Sequence, residues 1–190
     1  MSVLNRGRVL RAATSSFLAH GYGSSVDIIA RRAGVAKQTV YHHFPSKDEL
    51  FKEVARDLAK RVLVELDAAP RELRATLERF GAAYRKRVLG AQGIATFRAL
   101  VPEVPRFRAL ARAMYAASAG EMARRLAAYL EEAMDAGELR HDDPRFAAEL
   151  LLGMLVGHDR IKRLFGVPLE ETDVARAAHV VDCFLRAYEP

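Results

Sequence analysis

The chain has 190 residues, 51% of them hydrophobic, one cysteine and a formal net charge of +6. That is enough apolar mass for a core in one domain or two small ones, and no run approaches the ~20 apolar residues of a membrane span. The lone Cys183, set among Val180, Val181 and Phe184, excludes an internal disulfide framework and reads as a buried structural thiol; with no basic-then-apolar leader, the expected compartment is the cytoplasm.

A first helix is expected over residues 4–20, with Leu10, Ala13, Phe17 and Leu18 as its buried stripe and Gly21 at its end. Arg6, Arg8 and Arg11 fall on its polar face, where solvated charge is the default reading. Gly21-Tyr22-Gly23 lacks the third glycine and the preceding strand of a nucleotide-binding loop. From Ser24 to Lys47 the sequence SSVDIIARRAGVAKQTVYHHFPSK reads as helix, turn, helix and the capped start of another helix. Ser24 or Ser25 can accept a hydrogen bond from an orphan N–H of the first turn. Val26, Ile29, Ala30 and Ala33 then make one apolar face, and Gly34 supplies the freedom that a helix C-terminus needs. After the turn at Val35-Ala36, Lys37 to Phe44 form a short helix with Val40 and Phe44 inward. Pro45 breaks it, and Ser46 with Glu49 forms a capping box for the next helix.

Two short helices joined by a glycine-containing turn form a helix-turn-helix pattern, whose second helix enters the major groove of DNA. The outward residues suit that task. Lys37 can reach phosphate or guanine O6/N7, Gln38 can pair bidentately with adenine, and Thr39 can offer a hydroxyl or a methyl to a base. Tyr41 and His42 are placed for phosphate, and Lys47 sits where a helix N-terminus and a cation together clamp phosphate. Residues 1–50 hold seven basic and three acidic side chains against 23 and 21 in the remainder, so the positive excess is concentrated in this segment. An ordinary helical hairpin with solvated polar residues is the competing reading of the same pattern.

This stretch resembles the N-terminal domain of the TetR/AcrR family of transcriptional regulators. The matching residues are Ala12-Ala13, Phe17, Gly21-Tyr22, Val26, Ile29-Ala30, Ala33-Gly34-Val35, Lys37, Thr39, Val40-Tyr41, His43-Phe44-Pro45-Ser46-Lys47 and Leu50-Phe51. Three features depart from the family's habit. The loop Gly21-Tyr22-Gly23-Ser24 is one residue short, Ala36 stands where a serine is common, and Ile28 stands where a polar residue is common. The resemblance implies a DNA-contact set of Ser25, Lys37, Gln38, Thr39, Tyr41, His42, His43 and Lys47.

Beyond the capping box a long helix is expected to about Asp67, with Leu50, Phe51, Val54, Leu58 and Val62 inward. Pro70 is placed for the first turn of a helix over 70–89, and Gly90 and Gly93 mark a break. Further helices are expected over 94–100, 106–136, 144–165 and 170–188, punctuated by Pro102, Pro105, Gly137, Asp143-Pro144, Gly166 and Pro168. No stretch alternates at period two long enough for a strand. The expected fold is therefore all-α with about nine helices. Residues 1–47 would form a three-helix DNA-binding domain, and 48–190 a helical domain for effector binding and dimerisation. Pro102-Glu103-Val104-Pro105, Gly137-Glu138-Leu139-Arg140 and Asp143-Pro144 also resemble one C-terminal subtype of the family.

The run Leu150-Leu151-Leu152-Gly153-Met154-Leu155-Val156-Gly157 is apolar nearly all round and must be buried on more than one side. Monomer core is one reading. The resemblance implies instead a four-helix bundle with a second subunit, through Leu151, Met154, Leu155, Val174, Ala177, Val181 and Phe184. It also implies a pocket for a small-molecule effector, for which Tyr84, Phe97, Arg98, Met114, Tyr115, Met122, Met154, His158 and Phe165 are candidate lining. Arg98 and His158 are the pointed candidates, since a polar group inside an apolar body must find a partner. The expected effector is apolar or amphipathic with an acidic group. His42-His43 and His158-Asp159 are adjacent pairs that cannot converge on one metal, and no HExxH, CxxC or P-loop pattern occurs. No cofactor, no metal and no enzymatic activity is expected. The rival function is a helical small-molecule carrier or interaction module without sequence-specific DNA binding.

Overall fold

The computed structural model describes residues 2–68 and 72–190; Pro70 and the side chain of Leu18 lie outside the described part. Among the described residues the chain is all-α, with no strand. The helices are α1 (Ser2–His20), α2 (Val26–Ala33), α3 (Lys37–His43), α4 (Lys47–Asp67), α5 (Leu73–Leu89), α6 (Ala91–Leu100), α7 (Arg108–Tyr115), α8 (Glu121–Asp135), α9 (Pro144–Leu164) and α10 (Asp173–Ala187). Short 3-10 turns cover Gly21–Gly23 and Val101–Glu103.

The continuous helix expected over 106–136 is instead α7 and α8, separated by a π-helical stretch at Ala116–Gly120. Its residues are Ala-Ala-Ser-Ala-Gly, so no large side chain packs to fix the ordinary register. The Ser118 hydroxyl also donates to the Met114 carbonyl at 2.7 Å, competing with the backbone ladder. Two starts also shift. α5 begins at Leu73, capped by the Glu72 carboxylate, which accepts from the Arg74 and Ala75 N–H groups. α10 begins at Asp173, where the Thr172 hydroxyl accepts from Ala175 N. Gly93 lies inside α6 rather than at its boundary. A Cβ there would sit 2.3 Å from the Arg87 carbonyl and 2.4 Å from that of Val88, so only glycine permits this approach to the end of α5.

The chain packs as two compact units: residues 1–58 with 95–118, and residues 59–94 with 119–190. The first encloses Val9, Ala13 and Phe17 of α1, Ile29 and Ala33 of α2, Val40 of α3, Leu50, Phe51 and Val54 of α4, and Leu110 of α7. Phe17 and Phe51 meet edge to face at 4.6 Å, an arrangement favoured by the ring quadrupoles. The second unit encloses Leu77 and Phe80 of α5, Leu126 and Leu130 of α8, Leu151 and Leu155 of α9, and Val181 and Phe184 of α10. Gly81 lets these helices close: a Cβ there would meet Leu155 Cδ2 at 2.9 Å and Ala177 Cβ at 3.2 Å.

Candidate nucleic-acid interface

The local chemistry of residues 24–50 fixes two helices in a defined relation. Of the two candidate serines, Ser25 caps α2, accepting from Ile28 N at 3.2 Å. Ser24 is buried and donates to the Ser16 carbonyl at 3.0 Å, tying the loop to α1. Gly34 closes α2 in the left-handed conformation (φ 64), which a side chain would strain. The Val35 N–H then bonds back to the Ala30 carbonyl at 3.1 Å. α3 opens at Ala36 without a side-chain cap, the consequence of alanine where the family commonly has serine. Val40 and Phe44 are buried at 1% and 3% exposure. The opposite face of α3 presents Lys37, Gln38, Tyr41 and His42 to solvent, with Thr39 and His43 half-buried at its margins.

α4 begins with half of the expected capping box: Glu49 N donates to Ser46 Oγ at 3.1 Å, while the Glu49 carboxylate turns outward to Lys52 at 2.8 Å. Lys47, its first residue, holds its ammonium 4.3 Å from the centre of the Tyr22 ring. Partial burial pushes that ammonium below its ordinary pKa. Tyr22 in turn donates to the Asp48 carboxylate, and burial together with that bond pushes the phenol up to about 12. Lys47 is thus held by packing against Tyr22 at the start of α4.

Several contacts here were not legible in the sequence. Arg6 is not simply solvated: it bonds Glu53 at 2.6 Å and lies over the Phe44 ring, joining α1 to α4 and to the end of the α3 segment. Arg32 donates to Ser16 Oγ at 3.2 Å. Most relevant to DNA, Lys37 Nζ lies 3.0 Å from Asp27 Oδ2 of α2, both side chains remaining about half exposed. These pairs join residues on different helices, and periodicity reports only which face of its own helix a residue occupies.

The effector candidates divide between the units. Phe97, Arg98, Met114 and Tyr115 belong to the first, and Tyr84, Met122, Met154, His158 and Phe165 to the second. Met122 is buried, and Tyr84 stacks on Phe80 at 6.0 Å with its phenol pushed up by burial. Tyr115 and Phe165 are largely exposed. Arg98 and His158 are exposed as well, so the expectation that they are interior polar groups is corrected. Among the described residues of the second unit, the buried charged residue is Arg85 and the buried hydroxyl is that of Thr76. A second correction concerns the interface candidates. Leu151, Leu155, Ala177, Val181 and Phe184 are each 0% exposed within the single chain, so they are its core rather than a surface. Met154 is half-buried, and Val174 stays open. The apolar surface of α9 and α10 is instead Phe146, Leu150, Ile161 and Val174. Among the described residues no helix is long and apolar enough to cross a membrane, and no three His, Cys, Asp or Glu side chains gather as metal ligands.

A helix-turn-helix with a polar, basic outer face, followed by a separate all-helical unit, is the architecture of a DNA-binding transcriptional regulator. Comparison with known proteins gives the family. Residues 9–54 match the bacterial regulatory proteins of the tetR family, and residues 75–190 match the C-terminal domain of AefR-like transcriptional repressors. The chain belongs to the TetR family of transcriptional regulators. A TetR-family structure from Mesorhizobium loti MAFF303099 superposes with a TM-score of 0.80 at 25% identity, covering 100% of this chain and 99% of that one. The flavonoid-responsive regulator FrrA is 31% identical over 98% of this chain and 97% of its own, with a TM-score of 0.73. The HTH-type transcriptional regulator YhgD of Bacillus subtilis (strain 168) is 39% identical over 70 residues, which span 36% of this chain and 37% of that protein.

Proposed function

We propose that the protein is a cytoplasmic, ligand-responsive repressor that binds a pseudo-palindromic operator as a homodimer and is released by a small-molecule effector. The observation that carries this reading is the division of α3 into a buried edge, Val40 with Phe44, and an open polar edge around Gln38. In this reading Lys37, Gln38 and Thr39 address bases. Ser25, Tyr41, His42, His43 and Lys47 address phosphate, which fixes register without reading sequence. Residues 1–47 carry the DNA task and 48–190 the effector and dimer tasks.

One short helix reads few bases, so a symmetric pair is needed for an operator of useful length. Two-fold symmetry then places the recognition helices one groove turn apart, ~34–36 Å. The similarity to FrrA supports an effector of mainly apolar or aromatic character. The test is a binding selection from genomic fragments with the whole protein at physiological salt, followed by sequencing of the retained DNA. The expected result is one pseudo-palindromic motif. Absence of salt-dependent DNA binding would instead support a helical carrier or interaction module.

A further inference from the structure

The first 50 residues contain three acidic side chains, and two are used within α4's own neighbourhood: Asp48 accepts from Tyr22, and Glu49 pairs with Lys52. The third, Asp27, reaches from α2 to the first residue of α3, with its Oδ2 3.0 Å from Lys37 Nζ. The fold has little need of this pair. Ser25 already caps α2 and Gly34 closes it, while an exposed ion pair contributes little to stability. What the pair changes is the behaviour of the lysine. A free lysine is a point charge on a flexible stem and takes the nearest phosphate, whatever the sequence. Held by Asp27, the ammonium stays at the α3 N-terminus with two further N–H donors to offer.

The two groups together present donors beside an acceptor. The major-groove edge of a G·C pair presents the complement: guanine N7 and O6 accept, and the cytosine N4 amino group donates. We infer that Asp27 and Lys37 read one G·C pair as a unit, with Asp27 positioning Lys37 for guanine and accepting from the paired cytosine. No other base pair presents two adjacent acceptors beside a donor, since the adenine N6 amino group of an A·T pair lies between the N7 and O4 acceptors, and away from a matching pair the carboxylate is repelled by the phosphate-lined groove. Asp27 therefore also weakens non-specific binding. This inference rests on the operator-binding reading above.

The test is selection from an operator library and competition against scrambled DNA, using full-length wild type, Asp27→Ala and Asp27→Glu. Wild type should show one G·C requirement per half-site. Asp27→Ala should lose about tenfold discrimination there while keeping the preferences set elsewhere. It should also bind scrambled DNA more tightly, with the slope of log K against log salt steeper by about 0.9 for each lysine freed to phosphate. Asp27→Glu should restore the requirement. The simpler role of Asp27, complementing the N-terminal dipole of α2, predicts a lower melting temperature with an unchanged base profile. A wild-type motif that Asp27→Ala leaves unaltered would overturn this inference alone. A wild type that enriches no motif would overturn the operator reading and this inference together.

Discussion

Gln38 is the side chain whose task separates most cleanly from those of its neighbours. It is exposed, lies one residue into α3, and carries an amide able to meet adenine N6 and N7 together. Gln38→Ala should cost about 1–3 kcal/mol at one base position and relax specificity there. Lys47→Ala should weaken binding evenly across sequences. Quantitative binding to an operator series with single-base changes distinguishes the two, and even weakening by Gln38→Ala would remove its base-reading role. The exposure of these residues was legible because Val40 and Phe44, one turn apart, fix the buried edge and thereby the open one. The partner of Lys37 was not. Asp27 lies ten residues earlier on another helix, and the two meet only through the geometry of the turn at Gly34.

Elements with chemical punctuation were equally legible. Ser25, Ser46 and Asp143 cap α2, α4 and α9 because each places a side-chain oxygen where orphan N–H groups converge. Interruptions within helices were not. The small residues of Ala116–Gly120 satisfy a helical pattern without enforcing its register. In α9, Gly157 adopts φ 6, ψ −116, breaking a helix whose apolar run continues through it. Such a break disturbs the ladder in which Leu155 would accept from Asp159. Arg85, 1% exposed, fills the gap: it donates to the Leu155 carbonyl and lies 2.9 Å from Asp159 and 3.4 Å from Asp173. The two carboxylate contacts are charge pairs rather than aligned hydrogen bonds. One buried guanidinium thus joins α5, the two halves of α9 and the start of α10. Arg85→Met should therefore cost about 3–5 kcal/mol, since it leaves Asp159 in a site built around a cation. In denaturant titration the midpoint should fall with little change in slope. Arg85→Lys, which keeps the charge but loses the fork, should fall between. A loss under about 1 kcal/mol for Arg85→Met would mean that water and Arg176, 3.9 Å from Asp159, suffice to hold the break.

At the scale of the whole molecule, dimerisation turns on what α9 leaves uncovered. Its inward side chains Leu151 and Leu155 are already spent in the single chain. Before the break at Gly157 its outward residues are Phe146, Leu150 and Gly153, at helical spacing, and Ile161 is exposed beyond the break. Phe146, Leu150 and Ile161 are exposed, and a Cβ at Gly153 or Gly157 would meet nothing within 4 Å. Neither glycine is therefore demanded by packing within the chain, and Gly153 is a mid-helix residue that alanine or leucine would improve by up to ~1 kcal/mol. Small residues between exposed apolar ones permit close approach of a second helix, and a stable interface removes ~1,200–2,000 Å² of surface from water. Gly153→Leu separates the two explanations. If α9 faces solvent, the variant should keep its oligomeric state and gain stability. If α9 packs against its copy in a partner subunit, the leucine side chain has no space, and the variant should remain helical by circular dichroism yet sediment as a monomer. Operator affinity should fall with it, because two half-sites would then be bound by independent chains rather than one rigid pair. A Gly153→Leu protein that remains a dimer with wild-type operator affinity would move the interface away from this stripe.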